Sequence, residues 1–383
     1  MPAFKSRIES ALAERKTQGL NRSMNVVFAG NQSVLEHEGR RYINFSSNDY
    51  LGLANDQALV RAWQQGLSVY GSGSGASPMV TGFSAAHSNL EAALTEWLGY
   101  DRAILFGSGF SANQALLFTL LEKSDVLIQD RLNHASLMEA GALSPAKMKR
   151  FKHNDIEHLK SLINSEDNHL VVTEGVFSMD GDCAPLTDIA EVTRSNDAWF
   201  AVDDAHGIGV LGQSGGGSCE LATVKPEILI VTFGKAFGMS GAAILCDHAT
   251  GDFLTQFARH HVYSTAMPPA QAYALTHAVS IVQEQSWRRE KLSELSEVYR
   301  DCLSDLEGFV ETQTSIKPFV IGESELALQV ASACRQNGIW VTAIRPPTVP
   351  KGTSRLRITL TANHTNEQVK TLSMALKQAL GAL

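Results

Sequence analysis

Three neighbouring segments decide the fold: "HLVVTEG" at 169–175, "PLTDIAEVTRSN" at 185–196 and "WFAVDDA" at 199–205. The first and third are short apolar runs without polar alternation, the pattern of strands buried on both faces. The middle segment reads as a helix. A strand, a helix and a second strand in succession favour parallel pairing, because a parallel connection has to cross the sheet. The same alternation extends in both directions. "AILF" at 103–106 and "VLIQD" at 126–130 come before it, and "EILIVTF" at 227–233 and "GAAILC" at 241–246 come after. "SANQALLFTLLEK" at 111–123 supplies another helix. The expected fold is therefore α/β, a large domain whose mostly parallel sheet is sandwiched by helices.

Beyond about residue 280 the pattern changes. A charged helix, "SWRREKLSELSEVYRDCLSDL" at 286–306, leads to the shorter strands "KPFVIG", "WVTAI" and "RLRITL" and a terminal helix after "NEQ" at 366–368. This reads as a smaller C-terminal α+β domain. The expected division is an N-terminal helical arm over 1–45, a large cofactor-binding domain over 46–280 and the α+β domain over 281–383.

Composition narrows the function. Forty-four per cent hydrophobic and 19% charged residues fit an ordinary globular enzyme. The net charge is −8 and no basic stripe interleaves with aromatics, so nucleic acid is not an expected partner. No apolar run reaches membrane-spanning length. The start, "MPAFKSRIESALAERK", lacks an apolar signal core, and Ile8 and Leu12 fit a short amphipathic helix. Five cysteines without a CxxC pair read as reduced thiols, which places the protein in the cytoplasm and argues against a zinc site.

The chemistry-bearing residues gather where the strands end, the edge at which such sheets bind ligands. In "LFGSGFSANQALL" at 105–117, Gly107 and Gly109 turn the chain into a helix start, where free amides suit a phosphate. In "AVDDAHGIGVLG" at 201–212, Asp203, Asp204 and His206 follow a strand. Three readings fit them: a helix-capping loop, a metal site, or a carboxylate holding a protonated ring nitrogen beside an imidazole. Lys235, in "TFGKAFGMSG" at 232–241, lies one strand further along between Gly234 and Gly238. Those glycines point to a bulky guest close to the backbone. Thr232, at the end of the strand before Lys235, could offer a hydroxyl to an anion, and His134 and Ser178 follow two other strands. A phosphate loop, a carboxylate and a lysine together point to pyridoxal phosphate, which offers a phosphate, a pyridinium and an aldehyde.

"TFGKAFGMSGAA", "VDDAHGIGVLG" and "TEGVFSMDGD" resemble the α-oxoamine synthases, pyridoxal-phosphate enzymes of fold type I. "NFSSNDYLGL" at 44–53, "YSTAMPPAQA" at 263–272 and "WVTAIRPPTVPKGTSRLRITL" at 340–360 extend the resemblance over nearly the whole chain. It implies that Lys235 carries the cofactor, Asp203 holds the pyridine nitrogen, His206 bonds the ring oxygen and His134 stacks on the ring face. It further implies that Gly109, Phe110 and Thr232 hold the phosphate side, with Ser178 also in contact. Ser264 and Thr265 would reach the phosphate of a neighbouring subunit, making the protein a homodimer with shared active sites. Arg357 would grip the amino-acid carboxylate, Asn48 would lie beside it, and Arg22 and Thr348 would contact substrate. Where the family often has glycine and a basic residue, this chain has Pro78 and Met79, so no contact is assigned there. The implied reaction joins L-alanine to a pimeloyl thioester carried on coenzyme A or acyl carrier protein.

Overall fold

The computed structural model describes residues 3–28, 30, 32–164 and 166–381. Its strands, in chain order, are β1 (Val34–His37), β2 (Arg40–Asn44), β3 (Arg102–Phe106), β4 (Val126–Asp130), β5 (Lys147–Phe151), β6 (His169–Glu174) and β7 (Trp199–Asp203). They continue with β8 (Ile228–Thr232), β9 (Ala242–Cys246), β10 (Ile316–Gly322), β11 (Ile339–Trp340), β12 (Thr342–Ile344) and β13 (Ser354–Thr359). Seven of them form the main sheet in the order β3-β9-β8-β7-β6-β4-β5.

Both faces of that sheet are buried, which is why its strands read as unbroken apolar runs. Ile104, Leu170, Val172, Ala201, Ile228, Ile230 and Ile244 pack on one side. Leu105, Val171, Phe200, Val202, Leu229, Val231 and Leu245 pack on the other. The first face is covered by helix Gly109–Leu120 through Ala112, Ala115 and Leu116, and by helix Ala135–Leu143 through Leu137 and Ala140. The second is covered by helices Ala85–Leu98 and Leu186–Ser195, through Leu90, Leu94 and Ile189. Each fully buried leucine or isoleucine stabilises the fold by about 2 kcal/mol.

Neighbours β5, β4, β6, β7 and β8 pair in parallel, while β9 is antiparallel to both β8 and β3. Six strands thus run one way and β9 alone runs back. The edge strand β5, "KMKRF", did not stand out in the sequence, because its charged residues break the apolar pattern. On an edge those charges discourage pairing with another sheet.

The remaining strands form two small sheets, β1-β2-β11 and β10-β13-β12. Strands β1 and β2 lie inside the expected N-terminal arm, yet β2 pairs in parallel with β11 near the other end of the chain. Helix Ala3–Thr17 forms as expected, but Phe4, Ile8 and Leu12 are 70%, 56% and 64% exposed, so its apolar positions meet no core in this chain. Among the described residues no helix is long and apolar enough to cross a membrane.

Candidate active site

Because six strands of the main sheet run together, the turns after β3, β4, β6, β7 and β8 open at one edge. There they line a cavity of about 270 Å³. Its wall contains Asn48, Gly109, Phe110, His134, Asp203, His206, Thr232 and Lys235, eight of the expected site residues, together with Asn113, Ser136 and Glu174. Strand parity explains the convergence. Glu174, Asp203 and Thr232 continue the face of Val172, Ala201 and Ile230, the face that helix Gly109–Leu120 covers.

Asp203 is 4% exposed and held on both oxygens. Asn113 Nδ2 donates to Oδ2 at 2.7 Å, and the Ala205 amide donates to Oδ1 at 3.1 Å. Asp204 points to the opposite face and is fully buried. It accepts from the Ser218 amide at 2.8 Å and the Ser218 hydroxyl at 2.6 Å. A Cβ at Gly175 or Gly217 would sit 2.3 Å or 1.9 Å from its oxygens, so glycine is required for this carboxyl to fit. Asp204 is therefore a structural acid outside the cavity, and burial pushes its pKa up to about 7.

Burial in the cavity works against the charged forms of its bases. Burial holds the Lys235 amine below its ordinary range against the opposing pull of Asp203 and Glu174. Burial, then Lys235 and Arg357, hold His206 well below the ordinary histidine range. The Tyr50 hydroxyl lies 2.7 Å from His206 Nδ1; when that hydroxyl is the donor, the ring proton sits on Nε2. His134 caps helix Ala135–Leu143 by accepting the Ser136 amide at Nδ1, and its ring meets Phe110 edge-on at 6.4 Å.

Where a phosphate is expected, Ser108 caps helix Gly109–Leu120 by accepting from the Ser111 amide, so the helix starts two residues before Ser111. Gly109 matters sterically, since a Cβ there would lie 2.6 Å from Thr232 Cγ2. The Thr232 hydroxyl is buried with no hydrogen-bond partner. Of the two glycines flanking Lys235, Gly234 lines the cavity, and a Cβ there would meet only the Met239 carbonyl, at an ordinary contact distance of 3.8 Å. Gly238 differs from the expectation: the backbone pressing on it is the chain's own Leu53–Ala54, not a guest.

Arg357, on β13, joins the site from the C-terminal region. Its Nε donates to the Ser178 carbonyl at 2.6 Å, Nη1 to Asn48 Oδ1 at 3.0 Å and Nη2 to the Tyr50 hydroxyl at 3.4 Å. Ser178 thus meets the site through its carbonyl rather than as cavity wall. Arg22 and Thr348 lie elsewhere, in a second cleft of about 470 Å³ with Arg345. Ser264 and Thr265 are exposed and do not line the cavity of their own chain. Among the described residues no group of three or more His, Cys, Asp and Glu is arranged to hold a metal.

Sequence reasoning missed Glu174, Asn113 and Tyr50. Glu174 carried the same signal as Asp203, a charge ending an apolar strand. Asn113 was an amide on an apolar helix face.

The family model for aminotransferase class I and II matches residues 40–376. An 8-amino-7-oxononanoate synthase of Vibrio campbellii is 92% identical over 383 residues, covering all of both chains. The chain belongs to the 8-amino-7-oxononanoate synthases. A solved member of that group, from Francisella tularensis, is 29% identical, with TM-score 0.79 over 89% of this chain and 98% of its own. The synthase fold is also that of serine palmitoyltransferase from S. paucimobilis, solved with bound PLP–myriocin aldimine. That structure is 27% identical, with TM-score 0.91 over 98% of this chain and 97% of the other.

Proposed function

We propose that this synthase condenses L-alanine with a pimeloyl thioester to give 8-amino-7-oxononanoate, carbon dioxide and the free thiol carrier, a step of biotin biosynthesis. Full-length identity of 92% to a protein of that name supports this reading. The observation that carries it is the convergence of Lys235, Asp203, His206 and an unpartnered Thr232 hydroxyl in one cavity.

Its cofactor is pyridoxal phosphate, and the residues present fit one. The Thr232 hydroxyl and the amides at the start of helix Gly109–Leu120 offer donors for a phosphate, and Gly109 keeps the approach clear. When bound, the cofactor supplies an electron sink for the pair left at the amino acid's α-carbon.

The chain's residues do the rest. Lys235 is the attachment point; once freed, its amine takes the α-proton, and its lowered pKa suits a base. Asp203 holds a proton on the ring nitrogen, because a carboxylate within hydrogen-bond reach favours the charged form. Neutral His206 donates from Nε2 to the ring oxygen, and His134 covers the ring face. Phe110 flanks the phosphate side, and the Ser178 carbonyl acts through Arg357, whose Nε it holds. Arg357 pairs with the alanine carboxylate, with Asn48 and Tyr50 setting the plane of its guanidinium. Arg22 and Thr348 bind the acyl donor in the second cleft. A carbon–carbon bond forms between the alanine α-carbon and the thioester carbonyl, the thiolate leaves, the carboxylate departs as carbon dioxide, and the proton held by Lys235 returns to the α-carbon. Ser264 and Thr265 reach the phosphate in the neighbouring subunit of a homodimer. The cytoplasm is the expected compartment.

Assaying alanine, glycine and serine against pimeloyl-coenzyme A, pimeloyl-acyl carrier protein and other acyl thioesters tests the reading. Turnover with alanine and either pimeloyl donor is expected. Turnover confined to serine or glycine with another acyl thioester would overturn it.

A further inference from the structure

Glu174 ends β6 in direct register with Asp203 of β7, and both project to the same face. Two carboxyl groups at adjacent strand positions in a buried cavity cannot both ionise cheaply. Their surroundings divide the roles. Asp203 has one hydrogen-bond donor on each oxygen, from Asn113 and Ala205, the environment of an anion. Glu174 is 2% exposed, and its Oε1 is buried without any partner. An ionised carboxylate with one oxygen left unpaired in such a place is costly. A protonated one is a neutral donor on the cavity wall.

We infer that Glu174 is a positioning residue that stands in the cavity as the neutral, proton-bearing partner of Asp203, so that one negative charge, on Asp203, faces the cofactor ring. The inference rests on the pyridoxal-phosphate reading of the site. The charges facing Glu174 agree in direction. Burial and then Asp203 raise its pKa well above the carboxyl range, with Asp130 of β4 adding to the rise. Lys235 after β8 and the backbone N–H of His134 after β4 oppose it. An ionised Glu174 would be a second anion competing with Asp203 for Lys235. The neutral form leaves Asp203 to hold the ring nitrogen alone.

Glutamine is the shape of a neutral glutamate, so Glu174→Gln separates the two protonation states. The apoprotein is titrated with pyridoxal phosphate, and binding is read from the visible absorption band. The wild type is the control for the cofactor reading: without a bound chromophore, that reading fails whatever Glu174 does. Given wild-type binding, Glu174→Gln is expected to bind within about 3-fold of wild type. Asp203→Asn is expected to lose roughly 10- to 100-fold, the loss of a charge-assisted hydrogen bond. A loss in Glu174→Gln matching that of Asp203→Asn overturns the inference, because glutamate is then needed as an anion.

Infrared spectroscopy of ¹³C-glutamate-labelled holoenzyme reads the proton directly. Glu91, on helix Ala85–Leu98, is pushed up by burial to about 8 and would contribute its own band, so the measurement uses Glu91→Gln. A protonated glutamate carbonyl band at pH 7 supports the assignment, and its disappearance on adding Glu174→Gln fixes it to this residue. Carboxylate bands alone overturn it. Should Glu174→Gln fail to fold, the band in the Glu91→Gln protein decides by itself.

Discussion

Asp203 and Asp204 are neighbours in sequence and opposites in structure, so their asparagine variants should fail in different assays. At Asp203 the amide keeps shape but removes the charge facing the cofactor. Asparagine there must direct an NH₂ at either Asn113 Nδ2 or the Ala205 amide, both donors. Asn113 can absorb this by turning over. Its Oδ1 has no partner, and its other contact, the Ser136 hydroxyl, can donate as well as accept. Folding stability should therefore change by less than about 1 kcal/mol, while the lost charge-assisted bond weakens the cofactor by roughly 1.5–3 kcal/mol, or about 10- to 100-fold. Exchange of the alanine α-proton should slow with it.

Asp204→Asn should leave cofactor affinity alone, because the carboxyl bonds Ser218 on the other face. Its signature is in stability against pH. A carboxyl whose folded pKa is raised to about 7 costs stability progressively as pH rises from the ordinary 3.8 through 7, because the unfolded chain releases the proton more readily. At about 1.4 kcal/mol per pKa unit, the wild type loses on the order of 2–4 kcal/mol over that window. Asp204→Asn removes this component, so its stability relative to wild type should improve as pH rises from 4 to 8. Urea unfolding at several pH values reads the slope, and titration with pyridoxal phosphate reads the affinity. If Asp204→Asn weakens the cofactor while Asp203→Asn leaves it intact, the strand parity behind both assignments is wrong.

His153 bridges Asp130 at 3.0 Å and Asp182 at 2.7 Å. Burial alone would lower its pKa, but hydrogen bonds and charge from the two aspartates overcome that and raise it to about 10. A raised histidine contributes stability that is full below about pH 6.5 and lost as pH climbs through 10. His153→Asn should therefore lower stability by roughly 1–3 kcal/mol at pH 6, a difference that denaturant curves should show vanishing above pH 10. Arg357→Ala should raise the alanine KM by at least about tenfold with cofactor affinity kept, and lysine should rescue poorly because it lacks the planar fork. An unchanged KM would move the carboxylate site; Arg355 is already paired with Asp180 and Arg345 lies in the second cleft. Mixing Lys235→Ala with a Thr265→Ala variant should restore activity in heterodimers, and a fully active monomer would refute the shared site.

Much of the site could be read in one dimension because its residues follow strands. A buried parallel strand writes itself as an apolar run, and the first polar residues after it must lie at the sheet's carboxyl edge. That logic located Asp203, Thr232, Lys235 and His134 before any coordinates. It also separated Asp203 from Asp204, since alternation along a strand is a local property.

Other features depended on contacts between distant segments. Nothing near Arg357 in sequence reveals that it meets Asn48, Tyr50 and Ser178, some 180 to 310 positions away. The orphaned Thr232 hydroxyl and the Glu174 oxygen are defined by what fails to approach them, which no spacing encodes. The close contact at Gly238 looked like room for a ligand until the chain's own Leu53–Ala54 filled it. The sequence by itself determined which residues stand at the ends of strands, because periodicity is set by neighbours along the chain. Which of them are charged, paired or left free was decided only by the tertiary structure, because burial and hydrogen bonding depend on segments that folding alone brings together.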